Sequence, residues 1–313
     1  MTWFGPLILG GIGIALLIAG VERLVKTVRH RAAVAGASAL VLGLLATSVD
    51  LESTAAGIAS AARSLGTVAA GVSIGSVIFL VTAALGVACL LFPFSVKVPR
   101  YFLGVFVLSA VAASAVLLGG AVTRLEALLL LVLFAGMVTG GVRRLRSGPS
   151  SPPPTTSGRV TTLARTRLRF LATIGASLGA MGIGAELLAS AAQKALAATH
   201  LSQTIVGAIV VAVALSLEEG LIEVLPAWRG TPEIAVGNVL GTTAFLLTGS
   251  LGVVALAFPI HVQPQVTTFQ VPALLGAVAL ATWALTRPAT GRREGALLIS
   301  YYVVYLAGSL FLR

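Results

Sequence analysis

Long apolar runs separated by short polar stretches recur along the whole chain, and their lengths set the first expectation. About 20 residues of helix cross the hydrocarbon of a bilayer. Ten runs reach that length: 4–25, 33–61, 67–92, 101–121, 124–142, 168–192, 203–227, 234–258, 268–286 and 295–312. The pattern predicts an all-α membrane protein of about ten transmembrane helices. Composition agrees, because 57% of the residues are hydrophobic and only 10% charged, where an ordinary soluble domain has about a quarter charged. Mean hydropathy is +1.02.

Polar residues inside these runs carry the chemistry. Glu218, Glu219 and Glu223 lie between the apolar stretches Ile205–Leu217 and Ile234–Leu247, with only Trp228–Glu233 polar enough to form a surface turn. A charge near the bilayer centre costs roughly 2.5–3.5 kcal/mol on insertion scales. Three acids in one segment therefore point to a wet cavity, a proton site or a cation site, and cation handling is the first hypothesis. The second run holds a similar cluster of Thr47, Ser48, Asp50, Glu52, Ser53 and Thr54 amid Leu and Ala.

The two clusters belong to an internal repeat. A gapless shift of 166 residues superposes Ser48–Val96 on Ala214–Val262, with about 17 of 49 positions identical. It pairs Glu52 with Glu218, Arg63 with Arg229, Gly71 with Gly237, Gly75 with Gly241, and Phe92-Pro93 with Phe258-Pro259. Each copy holds five runs, an odd number, so the second copy is expected to enter the membrane from the opposite side. Transporters built from such inverted-topology repeats place the substrate site near the midplane, where broken helices of the two halves meet. The expected organisation is residues 1–146 as the first five-helix half, residues 147–160 as a cytoplasmic Pro/Ser/Thr-rich linker, and residues 161–313 as the second half. The tract SGPSSPPPTTSG cannot pack a core and reads as a semi-extended linker.

The net charge of +11 is a topology signal. With the N-terminus outside, about 17 of the 21 Lys and Arg residues fall on the cytoplasmic side, a strong positive-inside bias. Both termini are then expected outside, in a plasma (inner) membrane, and the leading run, which lacks a basic start, is not read as a cleavable signal. A patch for anionic lipid heads is a secondary reading of the basic residues, and nucleic acid is not an expected partner. Cys89 is the single cysteine, which excludes an intramolecular disulfide framework. It reads as a small core residue. Glu22 and Lys26 have the spacing of a helical ion pair. Glu186 repeats the context of Glu22 in the sixth run, open between a cavity role and a structural one, and His30, His200 and His261 sit in or beside connections.

These residues carry a family resemblance. Gly207-Ala-Ile-Val-Val-Ala-Val-Ala-Leu-Ser-Leu-Glu-Glu, followed by Glu233-Ile-Ala-Val-Gly-Asn-Val-Leu-Gly-Thr-Thr-Ala-Phe, resembles the second alpha-repeat of the calcium/cation antiporter superfamily, the sodium/calcium exchangers and their bacterial relatives. The family pattern reads G-T-S-x-P-E-L, then A-x-G-N-x-x-G-S-N-I-F. The resemblance implies that Glu219 takes the place of the cation-binding glutamate, Ser216 that of the motif serine and Asn238 that of the amide. In the first half the same register puts Ser53 at the glutamate, Glu52 at the proline, Asp50 at the serine and Val72 at the asparagine. In the second, Glu218 replaces the proline, Ala214 and Leu215 replace Gly-Thr, and Thr243 replaces the later asparagine.

Displaced ligands can still serve. Calcium takes six to eight oxygens at roughly 2.3–2.6 Å, and Glu219, Asp50, Glu52 and Glu218 offer metal-binding carboxylates while Ser216, Ser53 and Thr47 add hydroxyls. Asn238 adds an amide. Glu223, one turn from Glu219, extends the path but matches Gly57 in the other half. The implied function is a secondary-active antiporter, not an enzyme, with no cofactor. It exchanges a cation, with Ca2+ the leading candidate, against Na+ or H+ by alternating access. Partners are metal cations and the bilayer. The alternatives are transport of another cation on the same scaffold, or a non-transporting degenerate relative. A channel lacks the expected ring of charges, and a membrane enzyme lacks any His-Glu-x-x-His, P-loop or Ser/His pairing.

Overall fold

The computed structural model describes residues 4–35, 39–46, 50–146, 160–197 and 218–311. They are nearly all helical. In chain order the helices are α1 (Phe4–Ala35), α2 (Ala39–Ala46), α3 (Leu51–Ala62), α4 (Gly66–Ile78), α5 (Leu85–Leu91), α6 (Arg100–Leu117), α7 (Arg124–Arg146) and α8 (Val160–Ala197), then α9 (218–228), α10 (Pro232–Ala244), α11 (Leu251–Ala257), α12 (Val271–Leu285) and α13 (Arg292–Phe311). Seven helical stretches among the described residues are long and apolar enough to cross a membrane. The runs expected over 33–61 and 203–227 lie partly outside the described residues.

Two differences from the expected spans have physical causes. The first helix runs on to Ala35 instead of ending near residue 25, because Leu24, Val25 and Val28 stay buried along its inner face. The run 33–61 is not one helix, since a new helix begins at Leu51 with Asp50 as its N-cap. The Asp50 side chain accepts a hydrogen bond from the Ser53 N–H at 2.8 Å, satisfying one of the donors that a helix start leaves open.

The 166-residue offset is visible in element boundaries. α4, the π-helical turn Phe79–Ala84 and α5 reappear 166 residues later as α10, the π-helical turn Phe245–Ser250 and α11. A threonine sits at the same place in each π turn. Thr82 donates to the Ile78 carbonyl and Thr248 to the Ala244 carbonyl at 2.6 Å, so a side chain supplies a partner where the backbone ladder widens. The turn before each of these rods also repeats, with positive φ at Ser64 (62°) and Gly230 (72°).

Helix packing places these two rods at the centre. The Pro232–Ala257 and Gly66–Leu91 spans are mostly buried inside the molecule, while Arg124–Arg144 and Arg169–Leu188 are mostly not. Outer helices show lipid-type faces, including Leu128, Leu129 and Val132 on α7, Leu171 and Ile183 on α8, and Val303 and Val304 on α13. Lipid is as apolar as these side chains, so association rests on close packing between small residues. A Cβ on Gly13 would lie 2.7 Å from the Gly184 carbonyl oxygen, and one on Gly184 2.7 Å from that of Gly13, which brings the backbones of α1 and α8 together. These two helices share a hydrophobic cluster with Ile222, Leu225 and Ile234, distinct from the larger core of α4, α5, α6 and α10 to α12. Two short backbone links, Ala121–Val122 with Ile260–His261 and Phe94 with Thr290, tie connections together at the helix ends.

Candidate functional site

The acids of α9 are set by helix geometry. Glu218 and Glu219 are the first two described residues of the helix. Both are half-buried. Glu223 stands one turn beyond Glu219 on the same face. It has no solvent exposure, and neither of its carboxyl oxygens has a hydrogen-bond partner. Glu219 lies within electrostatic reach of Glu223 and of Tyr302 on α13, and Glu223 within reach of Cys89 on α5. A carboxylate without donors, water or a counter-charge is too costly to bury ionised.

The start of α3 carries the other acid cluster. Asp50 is partly buried, with its Oδ1 engaged by the Ser53 N–H at the start of α3. Thr54 donates to the Asp50 carbonyl at 2.8 Å, and its hydroxyl lies 2.9 Å from that of Ser250 in the second π turn. That buried bond joins the two halves. Gly57, which matches Glu223, is in a different situation, because a Cβ there would come within 3.1 Å of Val254.

The enclosed rod α10 contributes neutral polar groups. Asn238 is 2% exposed and accepts a hydrogen bond from Thr242 at 3.2 Å. Thr243 is fully buried with its hydroxyl unpartnered, as is the Oε1 atom of Gln270. Gln270 closes the π-helical turn Val266–Gln270 and faces α4, its Oε1 3.9 Å from a Cβ placed on Gly71. These are oxygens in a dry interior with unused acceptor capacity.

Of the residues singled out in the sequence, Glu218, Glu219, Glu223, Asp50, Ser53 and Asn238 fall in α9, in α10 or at the start of α3. Glu52 lies in the first turn of α3, and its side chain, like Thr47 and Ser216, lies outside the described set. Among the described residues no three His, Cys, Asp or Glu side chains converge in a way that would hold a metal by themselves.

Ser250, Gln270 and Tyr302 were not legible as site residues. The signal for Gln270 was a lone amide inside an apolar run, and for Ser250 its place in the turn that repeats Phe79–Ala84. The remaining acids have other settings. Glu22 pairs with Lys26 at 3.4 Å and also with Arg229. Glu126 accepts from the backbone and hydroxyl of Thr123 at 2.8 and 2.7 Å, and Glu186 is exposed on α8. Glu294 accepts from the Gly291 N–H at 3.0 Å. Backbone N–H groups, its own and that of Gly291, hold its carboxyl below the ordinary value of 4.5.

Comparison with known proteins gives consistent matches. The family model described as sodium/calcium exchanger protein matches residues 6–140 and 169–311. The inner membrane protein YrbG of Escherichia coli (strain K12) is 26% identical over 307 residues, covering 95% of this chain and 94% of that one. The sodium/calcium exchanger MaX1 of Methanosarcina acetivorans is 33% identical over 107 residues, 33% of this chain and 30% of its own. Among solved structures, the sodium-calcium exchanger NCX_Mj soaked with 2.5 mM Na+ and 10 mM Sr2+ superposes with a TM-score of 0.82 at 21% identity, over 96% of this chain and 98% of that one. The same exchanger soaked with zero Na+ and Ca2+ also gives 0.82, at 22% identity, over 98% and 99%.

Proposed function

The chain belongs to the sodium/calcium exchanger protein family, and on that premise we propose that it is a secondary-active antiporter exchanging Ca2+ against Na+ or H+ by alternating access. The observation that carries this reading is Glu223, buried with both oxygens unpartnered one turn from Glu219. A purely structural acid at that depth would have acquired donors; one that receives and releases a cation or proton keeps its lone pairs available. Integral membrane placement is common ground with YrbG, named an inner membrane protein.

The site assignment follows from the same reading. Glu219 is the main cation ligand, with Glu218, Asp50 and Glu52 as further carboxylates. Ser53, Ser216, Thr47 and Asn238 supply neutral oxygens, and Glu223 serves the inner end of the path. The two halves, 1–146 and 161–313, are five-helix repeats of opposite membrane orientation joined by the linker 147–160. The matched boundaries of α4 to α5 and α10 to α11 support that arrangement. Both termini lie outside, and the basic connections face the cytoplasm of the inner membrane.

The test is Ca2+ uptake into proteoliposomes under an imposed Na+ gradient and, separately, a proton gradient. Uptake driven by one of them and independent of membrane voltage alone identifies an exchanger and its counter-ion. Glu219→Gln is expected to lower uptake at least about 10-fold, the equivalent of ~1.4 kcal/mol, with a smaller loss for Asp50→Asn. Uptake equal to wild type in the Glu219 variant removes that residue from the site. Uptake that follows voltage and ignores both gradients replaces the exchanger by a channel.

A further inference from the structure

A cavity opens between the basic stretches of α1 and α8. It has a volume of about 590 Å3 and is lined by Arg23, Lys26 and His30 from α1 and Arg169 from α8. That volume is within the range of small-ligand sites, roughly 300–1,000 Å3. Glu22 is the single acid in the lining, and its oxygens are already taken, one by Lys26 and the other by Arg229. Arg23 and Arg169 have no acidic partner among the described residues. Among the described residues the cavity therefore keeps a surplus of positive charge.

The remaining lining points to what supplies the balance. Thr27 and Thr173 donate their hydroxyl hydrogens to the Arg23 and Arg169 carbonyls at 2.6 and 2.7 Å, so binding falls to the guanidinium and ammonium groups. Guanidinium forks match phosphate oxygens in pairs. Ala19 and Phe170 provide an apolar wall, and the helix faces beside the cleft carry exposed Ile18 and Leu171, surfaces that belong against acyl chains. A basic recess between two membrane helices, at the depth where headgroups lie, is the setting in which phosphate-bearing lipids are held.

We propose that this cleft between α1 and α8 is a phosphate-binding site, occupied by the headgroup phosphate of an anionic membrane lipid or by free phosphate. It rests on the membrane placement of α1 and α8 and not on the transport reaction. Its failure and the failure of the exchanger reading are therefore separate.

The test measures lipid retained by the full-length protein after reconstitution into phosphatidylcholine vesicles containing 20% phosphatidylglycerol and re-extraction into detergent, using native mass spectrometry. Wild type is expected to retain phosphatidylglycerol over phosphatidylcholine, and Arg23→Gln/Arg169→Gln to retain about 25-fold less, from about 5-fold for each basic group lost near the membrane surface. Both arginines are exposed, so the variant keeps its fold. Arg292→Gln/Arg293→Gln, equally basic but outside the cleft, is expected to match wild type. A second arm titrates inorganic phosphate onto lipid-stripped protein. Saturable phosphate binding by wild type and not by the cleft variant, without phosphatidylglycerol retention, assigns the site to the free anion. Equal retention by wild type and the cleft variant together with no phosphate binding overturns the proposal, as does equal loss in the Arg292/Arg293 control.

Discussion

Glu223→Met tests whether the buried acid exists for function. The glutamate is fully buried and makes no hydrogen bond through either oxygen, so the substitution deletes no protein partner. Methionine is unbranched and of similar length, and it fits irregular core gaps. What it removes is the cost of keeping a polar group dry and unbonded, about 1–3 kcal/mol. The variant should therefore be more stable than wild type by that amount. For a chain of this length about 2 °C of midpoint shift accompanies each kcal/mol, giving an increase on the order of 2–6 °C in detergent thermal unfolding. Exchange measured in proteoliposomes should fall in the same variant, and Glu223→Gln should lose exchange without the gain, since its amide brings donors that the site cannot satisfy. A lowered midpoint for Glu223→Met would mean that the carboxyl holds the structure together. A raised midpoint with wild-type exchange would take Glu223 out of the ion path.

Two further outcomes follow from packing and charge. Gly237→Ala places a methyl against the Leu40 carbonyl and 2.8 Å from the Leu44 N–H of α2, so over-packing should cost about 1–3 kcal/mol in thermal unfolding. Gly75→Ala, with open space at its Cβ, should be neutral or gain about 0.5–1 kcal/mol from helix propensity. Glu294 has a depressed carboxyl pKa in the folded protein because backbone N–H groups stabilise its charge. Its contribution is thus fully present above the ordinary value of 4.5 and lost as pH falls through the lower folded value. Unfolding midpoints measured down the acid limb should fall less steeply for Glu294→Gln than for wild type.

Hydropathy made the membrane class and most helix positions readable, because span length is a direct consequence of bilayer thickness. It could not see hydrogen-bond patterns. The run 33–61 reads as continuous because apolar residues flank its polar cluster on both sides, although an aspartate before an apolar stretch is itself a helix-start signal. The two π turns were invisible to hydropathy, and only the paired Thr82 and Thr248 marked them. The 166-residue shift was the stronger guide, since it carries the observed bounds of α4, the first π turn and α5 onto those of α10, the second π turn and α11.

The same comparison gave Glu223 less weight than Glu219, because the two repeat copies differ at that position. A repeat alignment rewards symmetry, so an acid opposite Gly57 looked incidental. Gly57 abuts the bulky Val254 of α11, while the position equivalent to Val254 in the first copy is the small, buried Ala88 of α5. The repeat offset thus pairs Gly57 and Val254 with Glu223 and Ala88, a small and a large residue exchanged between the copies. Cys89, next to Ala88, is within electrostatic reach of Glu223. A carboxyl introduced at random into a packed interior would meet the kind of wall that Gly57 meets. On the antiporter reading proposed above, the exchange of sizes at these four positions is what admits an acid in one copy only, and the Glu223→Met variant is its test.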